Sequence, residues 1–198
     1  MKIFITCETL SERTAQTTQI IEMATNFEKL GHQMLIFCPS SRKYRGSKRL
    51  NIIYVPTINV FILRSIIYQL FLLIYISISY LIFKPNLIYT RMGIFSLAPL
   101  FFSKIFKIPH IVRFADDIIE DMKIQNKNSF FVTLYKMIES INCKFSSKIA
   151  TVTSNIEYTL QKRWSIPSKK IVVIPNGANI EVFRRGDIKE AKNKLNLK

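Results

Sequence analysis

Seven short apolar runs punctuate the chain, at residues 2–6, 34–38, 51–55, 87–90, 110–114, 149–153 and 171–174. They are rich in Ile, Val and Phe and lack the alternation of a strand with one wet face. Such runs read as strands buried on both sides. Between them lie stretches with helical spacing, at residues 17–30, 96–106, 129–145 and 155–164. In the first, Ile20, Ile21, Ala24, Phe27 and Leu30 fall on one stripe, and Gly31 stands where a helix C-cap belongs. Strand and helix in alternation predict an α/β fold, a doubly wound parallel sheet with helices on its faces. Only 5 glycines occur in 198 residues, which argues against a turn-rich all-β fold. That length supports one full domain, and a 48% apolar composition fills its core without disulfides. Cys7, Cys38 and Cys143 are far apart and odd in number, so they read as core thiols of a reducing compartment. The N-terminus enters a strand pattern directly, with too short an apolar run for a signal peptide.

One segment stands apart. Residues 65–83 carry no charge over 19 positions, long enough for a membrane span. Gln69, Ser77, Ser79 and three tyrosines dilute it, and Ile66, Leu70, Ile74, Ile78 and Leu81 form a stripe suited to a helix lying on a sheet. A span would also place strands of one sheet on opposite sides of a bilayer. A packed or interfacial helix is therefore expected.

The formal charge of +16, from 29 basic and 13 acidic residues, calls for an anionic partner. The densest run is Arg42-Lys43-Tyr44-Arg45-Gly46-Ser47-Lys48-Arg49, which reads as a solvated loop or a binding patch. No zinc-finger, RNA-recognition or basic-zipper pattern accompanies it, so nucleic acid is not the expected partner. An anionic membrane surface is.

Candidate chemistry gathers where strands end. Ligands of open α/β sheets bind beyond the carboxyl ends of the strands. Arg91 leaves one such end, where its guanidinium could hold a phosphate or carboxylate, or form a surface ion pair. Arg113 precedes Asp116, Asp117, Glu120 and Asp121, four of the thirteen acids. These acids could orient hydroxyls or bind a cation. Capping of a following helix by Asp116 or Asp117 explains one of them but not four. Ser154 follows another strand end, as a cleft residue or an N-cap. Neither His32, closing a helix, nor His110, opening a strand, has catalytic company, and no metal-ligand spacing is visible.

The last apolar run is stopped by Pro175, and Asn176-Gly177 supplies a sharp turn. Taken alone this is an ordinary strand and turn. The whole phrase, Ile174-Pro175-Asn176-Gly177 with Phe183 downstream, resembles the hinge of family-4 retaining glycosyltransferases, "V-I-P-N-G-V-D-x-x-x-F". The Gly31-His32 and Ile108-Pro109 steps fall in the order and spacing of the N-terminal half of such enzymes. The resemblance implies a GT-B fold, two Rossmann-like domains across a cleft. Residues 1–178 would be the N-terminal, acceptor-side domain, and residues 179–198 a linker and the start of a C-terminal donor-binding domain not contained in the chain.

The resemblance also implies sugar transfer from a nucleotide-sugar donor to a glycan or lipid-linked acceptor, hexosyl-type and with retention, without cofactor or metal. Asp116 would be the catalytic residue, with Arg91, Arg113, Asp117, Glu120 and Ser154 around the acceptor cleft. Thr14, Ala15 and Gln19 would form the donor-phosphate loop, and Asn176 and Gly177 the hinge. Two positions depart from the family pattern. Thr14 and Ala15 stand where a Gly-Gly pair lets the backbone approach phosphate, and Ala115 replaces a polar residue before Asp116. The implied setting is cytoplasmic, peripheral at the inner face of a membrane, and the isolated chain is expected to be inactive. A non-catalytic module docking to an anionic membrane or a partner subunit is the alternative.

Overall fold

The computed structural model describes residues 1–8, 10, 14–40, 50–58, 60–177 and 194. The basic run at 42–49, Phe183, most of the segment 179–198 and part of the 7–16 loop lie outside the described residues.

The strands are β1 (Lys2–Thr6), β2 (Gln33–Pro39), β3 (Ile52–Val55), β4 (Leu87–Arg91), β5 (His110–Phe114), β6 (Lys148–Thr151) and β7 (Ile171–Val173). They form one sheet, every pairing parallel, in the order β3-β2-β1-β4-β5-β6-β7. The chain winds outward from β1 to one edge, then returns to β4 and winds to the other. This is the expected doubly wound, Rossmann-like sheet, and its switch point lies between β1 and β4. The helices are α1 (Ala15–Lys29), α2 (Phe61–Phe83), α3 (Ala98–Ile105), α4 (Ile118–Ile124), α5 (Ser129–Phe145) and α6 (Ser154–Trp164).

Strand alternation sorts the core by face. Ile3 and Ile5 of β1 and Cys7 just beyond it, with Met34, Ile36 and Cys38 of β2, pack under Ile20 and Ala24 of α1. On the other face Phe4, Phe37, Val55 and Ile88 pack under Tyr68, Leu72 and Ile76 of α2 and Ala98 and Phe102 of α3. Further along that face Val112, Phe114 and Ile149 meet Ile119, Tyr135, Ile138 and Leu160 of the last three helices. All three cysteines are buried.

Local chemistry sets the element ends. Thr14 caps α1, its Oγ1 accepting from the Thr17 amide at 3.2 Å, so the helix begins two residues before the predicted start. Gly31, at φ +79°, closes it: its amide donates to Glu28 and the His32 amide to Phe27, a Schellman pair that needs the left-handed conformation. Leu30 is 71% exposed and leaves the expected stripe. The region predicted to be helical from Ser96 opens as a turn and becomes helix at Ala98. Strand β6 ends at Thr151, two residues early, because Thr153 turns to cap α6 through the Ile156 amide. Helix α4 is the helix that capping by Asp116 or Asp117 called for, and Asp117 is its cap.

The largest correction concerns α2. The stripe of Ile66, Leu70, Ile74, Ile78 and Leu81 does not lie on the sheet: these residues are 39–73% exposed. The buried face is instead Tyr68, Leu72 and Ile76, anchored by the Tyr68 hydroxyl, which donates to the carbonyls of Cys7 (2.8 Å) and Phe37 (3.1 Å). In a helix apolar on every side, periodicity cannot say which face is inward. The polar anchor decides it, because a buried hydroxyl must find a partner.

Candidate functional site

The site is built at the carboxyl edge, beside the switch point. Arg91 ends β4 and pairs in register with Arg113 of β5, so the two arginines stand side by side on the α1 face. Arg91 is only 9% exposed. Its Nη1 donates to Oε1 of Gln19 on α1 at 2.9 Å, and its Nη2 lies 3.4 Å from Oδ2 of Asp116. Burial pulls the guanidinium below its ordinary pKa and Arg113 adds to this, while Asp116 opposes it. Arg113 donates from Nη1 to the Tyr89 hydroxyl at 3.1 Å and from Nη2 to Oδ1 of Asn176. Burial raises the Tyr89 phenol, and the two arginines counter the rise. Gln19, Arg91 and Asp116 thus form one bonded row and Tyr89, Arg113 and Asn176 a second, set side by side by the Arg91–Arg113 register across α1, β4, β5 and the segment after β7. The Asp116 side chain is 53% exposed, which leaves its carboxylate open to a ligand.

Other candidates are placed elsewhere. Asp117 caps α4, accepting from the Glu120 amide at 3.3 Å, and its carboxylate is forked onto Arg163 at 2.7 and 3.1 Å. Burial pushes that carboxyl up, but the Arg163 bonds outweigh it and hold it below the ordinary value. Glu120 points to solvent and pairs with Lys123 at 3.0 Å along its own helix. Ser154 is exposed in the first turn of α6, and Thr153, not Ser154, caps that helix. Thr14 is the α1 cap, Ala15 opens that helix exposed, and Gly177 follows Asn176 exposed. Among the described residues no group of three or more His, Cys, Asp or Glu side chains could hold a metal ion.

Two acids that shape the site escaped the sequence reading. Glu8, just beyond β1, accepts from the amides of Ile94 (2.9 Å) and Phe95 (3.0 Å), from Gln69 Nε2 (3.1 Å) and from the Ser96 hydroxyl (3.4 Å). Burial raises its pKa against these bonds. Gln69 in turn accepts from the Ala98 amide at 3.0 Å. Together they pin the turn after Arg91 to β1 and α2. The only signals in the sequence were an acid at a strand end in a basic chain and the glycine at position 93. Glu139, 2% exposed, accepts from Arg163 (3.0 Å) and from the Trp164 indole (2.7 Å), and so braces Asp117 from behind.

The family model described as Glycosyltransferase Family 4 matches residues 16–182. The chain belongs to that family. No curated protein matches it in sequence. Solved structures that share its fold include sucrose-phosphate synthase from Thermosynechococcus elongatus, at 13% identity and a TM-score of 0.72, with 100% of this chain and 53% of that chain covered. A glycosyltransferase from Rickettsia africae has 16% identity and a TM-score of 0.65, covering 100% and 50%. HepE from Anabaena, solved with UDP and glucose, has 13% identity and a TM-score of 0.65, covering 99% and 50%. The chain therefore spans about half the length of these structures. It matches the N-terminal domain of a GT-B glycosyltransferase, as its hinge phrase suggested.

Proposed function

We propose that the chain is the acceptor-side domain of a retaining glycosyltransferase that moves a hexosyl group from a nucleotide-sugar to a glycan or lipid-linked acceptor. The observation that carries this is the Gln19–Arg91–Asp116 row at the switch point, in a chain of glycosyltransferase family 4. The HepE structures hold UDP, with glucose or as UDP-glucose, and a nucleotide-sugar is the donor inferred here.

On this reading Asp116 accepts a hydrogen bond from the attacking acceptor hydroxyl and orients it. Arg91, backed by Gln19, holds the Asp116 carboxylate in place. Arg113 ties the β5 end to Asn176, so closure about the Asn176–Gly177 hinge would be transmitted to the site. A second, donor-binding domain supplies the charge that stabilises the leaving diphosphate. Neither metal nor covalent nucleophile is required. The enzyme works on the cytoplasmic face of a membrane.

The test is to incubate the full-length protein with a panel of nucleotide-sugars and lipid-linked or glycan acceptors, with and without chelator, and read the product anomer by NMR. Transfer with retained configuration, unaffected by chelator, is expected. Inverted product or chelator-sensitive turnover overturns the mechanism, and absence of any transfer favours the non-catalytic module. The apolar outer face of α2 is compatible with that alternative, but it leaves the buried arginine row without a purpose.

A further inference from the structure

The outward side of α2 is a long apolar face open to solvent. Leu70, Ile74, Ile78, Leu81 and Ile82 are 51–86% exposed, and no charged side chain interrupts them. Helix α3 lies alongside, joined through Tyr80, whose ring packs on Phe102 and Phe106 at 5.6 and 4.5 Å. Its own outer residues Phe101 and Ile105 are 59% and 68% exposed. The two helices thus present one continuous ridge. Soluble domains rarely leave so much contiguous apolar surface uncovered.

We infer that this α2–α3 ridge lies in the plane of an anionic phospholipid leaflet, as a monotopic docking face rather than a span. Three observations select that occupant. Exposed Lys84 and Lys107 follow the C-terminal ends of α2 and α3, exposed Lys104 lies in the last turn of α3, and the chain carries +16 overall, complementary to acidic headgroups. A second copy would bring the same lysines against themselves. The chain leaves the sheet at β7, the edge opposite the β3 side that α2 covers, so the residues after the hinge start far from the ridge. Length and composition would permit a span, since Leu63–Phe83 has a hydropathy of 2.2. But a span would strip Tyr68, Leu72 and Ile76 from the sheet and orphan the Tyr68 hydroxyl bonds. Lying flat, about 35 Å of helix can bury its outer stripe at the headgroup boundary without disturbing the core.

This deepens the membrane setting of the proposed transferase, yet it is measured without donor or acceptor, so its failure and the failure of transfer are distinguishable. The chain is sedimented with phosphatidylcholine vesicles containing 0 or about 30% phosphatidylglycerol across a salt series. Each lysine near an anionic leaflet is worth roughly a fivefold factor, so three should favour acidic vesicles about a hundredfold at low salt. The triple variant L81E/I82E/I105E should lose binding at least tenfold. The control I124E, on the equally exposed but remote Ile124 of α4, should bind as the parent does. The inference is overturned by equal binding to both vesicle types, by equal loss in I124E, by release only with detergent, or by a dimer that the triple variant dissolves.

Discussion

Asp116 and Gly93 show how differently two residues of one site can matter. The Asp116 side chain is half exposed and caps no helix, so it contributes little to folding. In the full-length enzyme D116N should cut kcat by about a hundredfold or more, the range of a lost proton-handling group, with Tm unchanged. A large Tm drop with activity per folded molecule intact would show the residue to be structural. Gly93 is the reverse case. A Cβ there would overlap the Glu8 carboxylate and stand 2.7 Å from its Cγ, and Glu8 cannot swing away because four bonds hold it. G93A should cost about 1–3 kcal/mol in urea unfolding, and E8A/G93A should cost less than the two single changes summed. Strict additivity would remove Glu8 as the cause. His110 is buried 1% exposed against Thr90, and burial, helped by Lys104, pulls its pKa to about 3 from the ordinary 6.5. Between those values the unfolded chain takes a proton that the native one refuses, so stability falls as pH falls, by at most about 1.4 kcal/mol per unit. Glu8 and Glu139, with raised carboxyls, act with the opposite sign, so the parent curve alone is ambiguous. The stability gap between parent and H110Q should therefore shift in favour of H110Q from pH 7 to pH 4.5. An unchanged gap excludes the histidine.

Helices α4, α5 and α6 meet through one charged joint rather than through apolar packing alone. Arg163 bridges Asp117 at the start of α4 and Glu139 inside α5, and Trp164 shares the Glu139 carboxylate. R163A would strand Glu139 at 2% exposure without its countercharge. Breaking one half of a buried pair costs about 3–5 kcal/mol, whereas R163A/E139L should recover much of that. A loss below about 1 kcal/mol in R163A would mean the joint is solvent-screened. The same joint explains why only Asp116 of the Asp116-Asp117 pair faces the cleft. Helix α2 makes the complementary point, since its position comes from Tyr68 and Gln69, two polar residues in an otherwise apolar run.

As a whole the chain matches about half the length of the GT-B glycosyltransferase structures that share its fold, with Arg91 and Arg113 at the carboxyl edge of its sheet. The 198-residue chain on its own should transfer no sugar and hydrolyse no nucleotide-sugar, because the groups for the leaving diphosphate are expected on the other domain. Robust turnover by a purified sample free of other transferases would sink that view.

Much of this architecture was written in local pattern. The seven apolar runs and the Gly31 cap depend on neighbours in sequence, and the strands and the end of α1 followed from them, whereas the sharp turn expected at Asn176-Gly177 did not: residues 174–177 run on without a turn and Gly177 stays outside the left-handed region. Arg91 and Asp116 were also visible, because a polar residue leaving a buried strand has few other places to be. What local pattern could not decide was partnership. That Asp117 belongs to Arg163, that Glu8 clamps the Ile94 and Phe95 amides, and that the α2 stripe faces outward each depend on groups 46 to 87 residues apart or on another element's surface. Buried polar atoms must be satisfied by whatever the fold brings near them, and only the assembled sheet determines which groups those are.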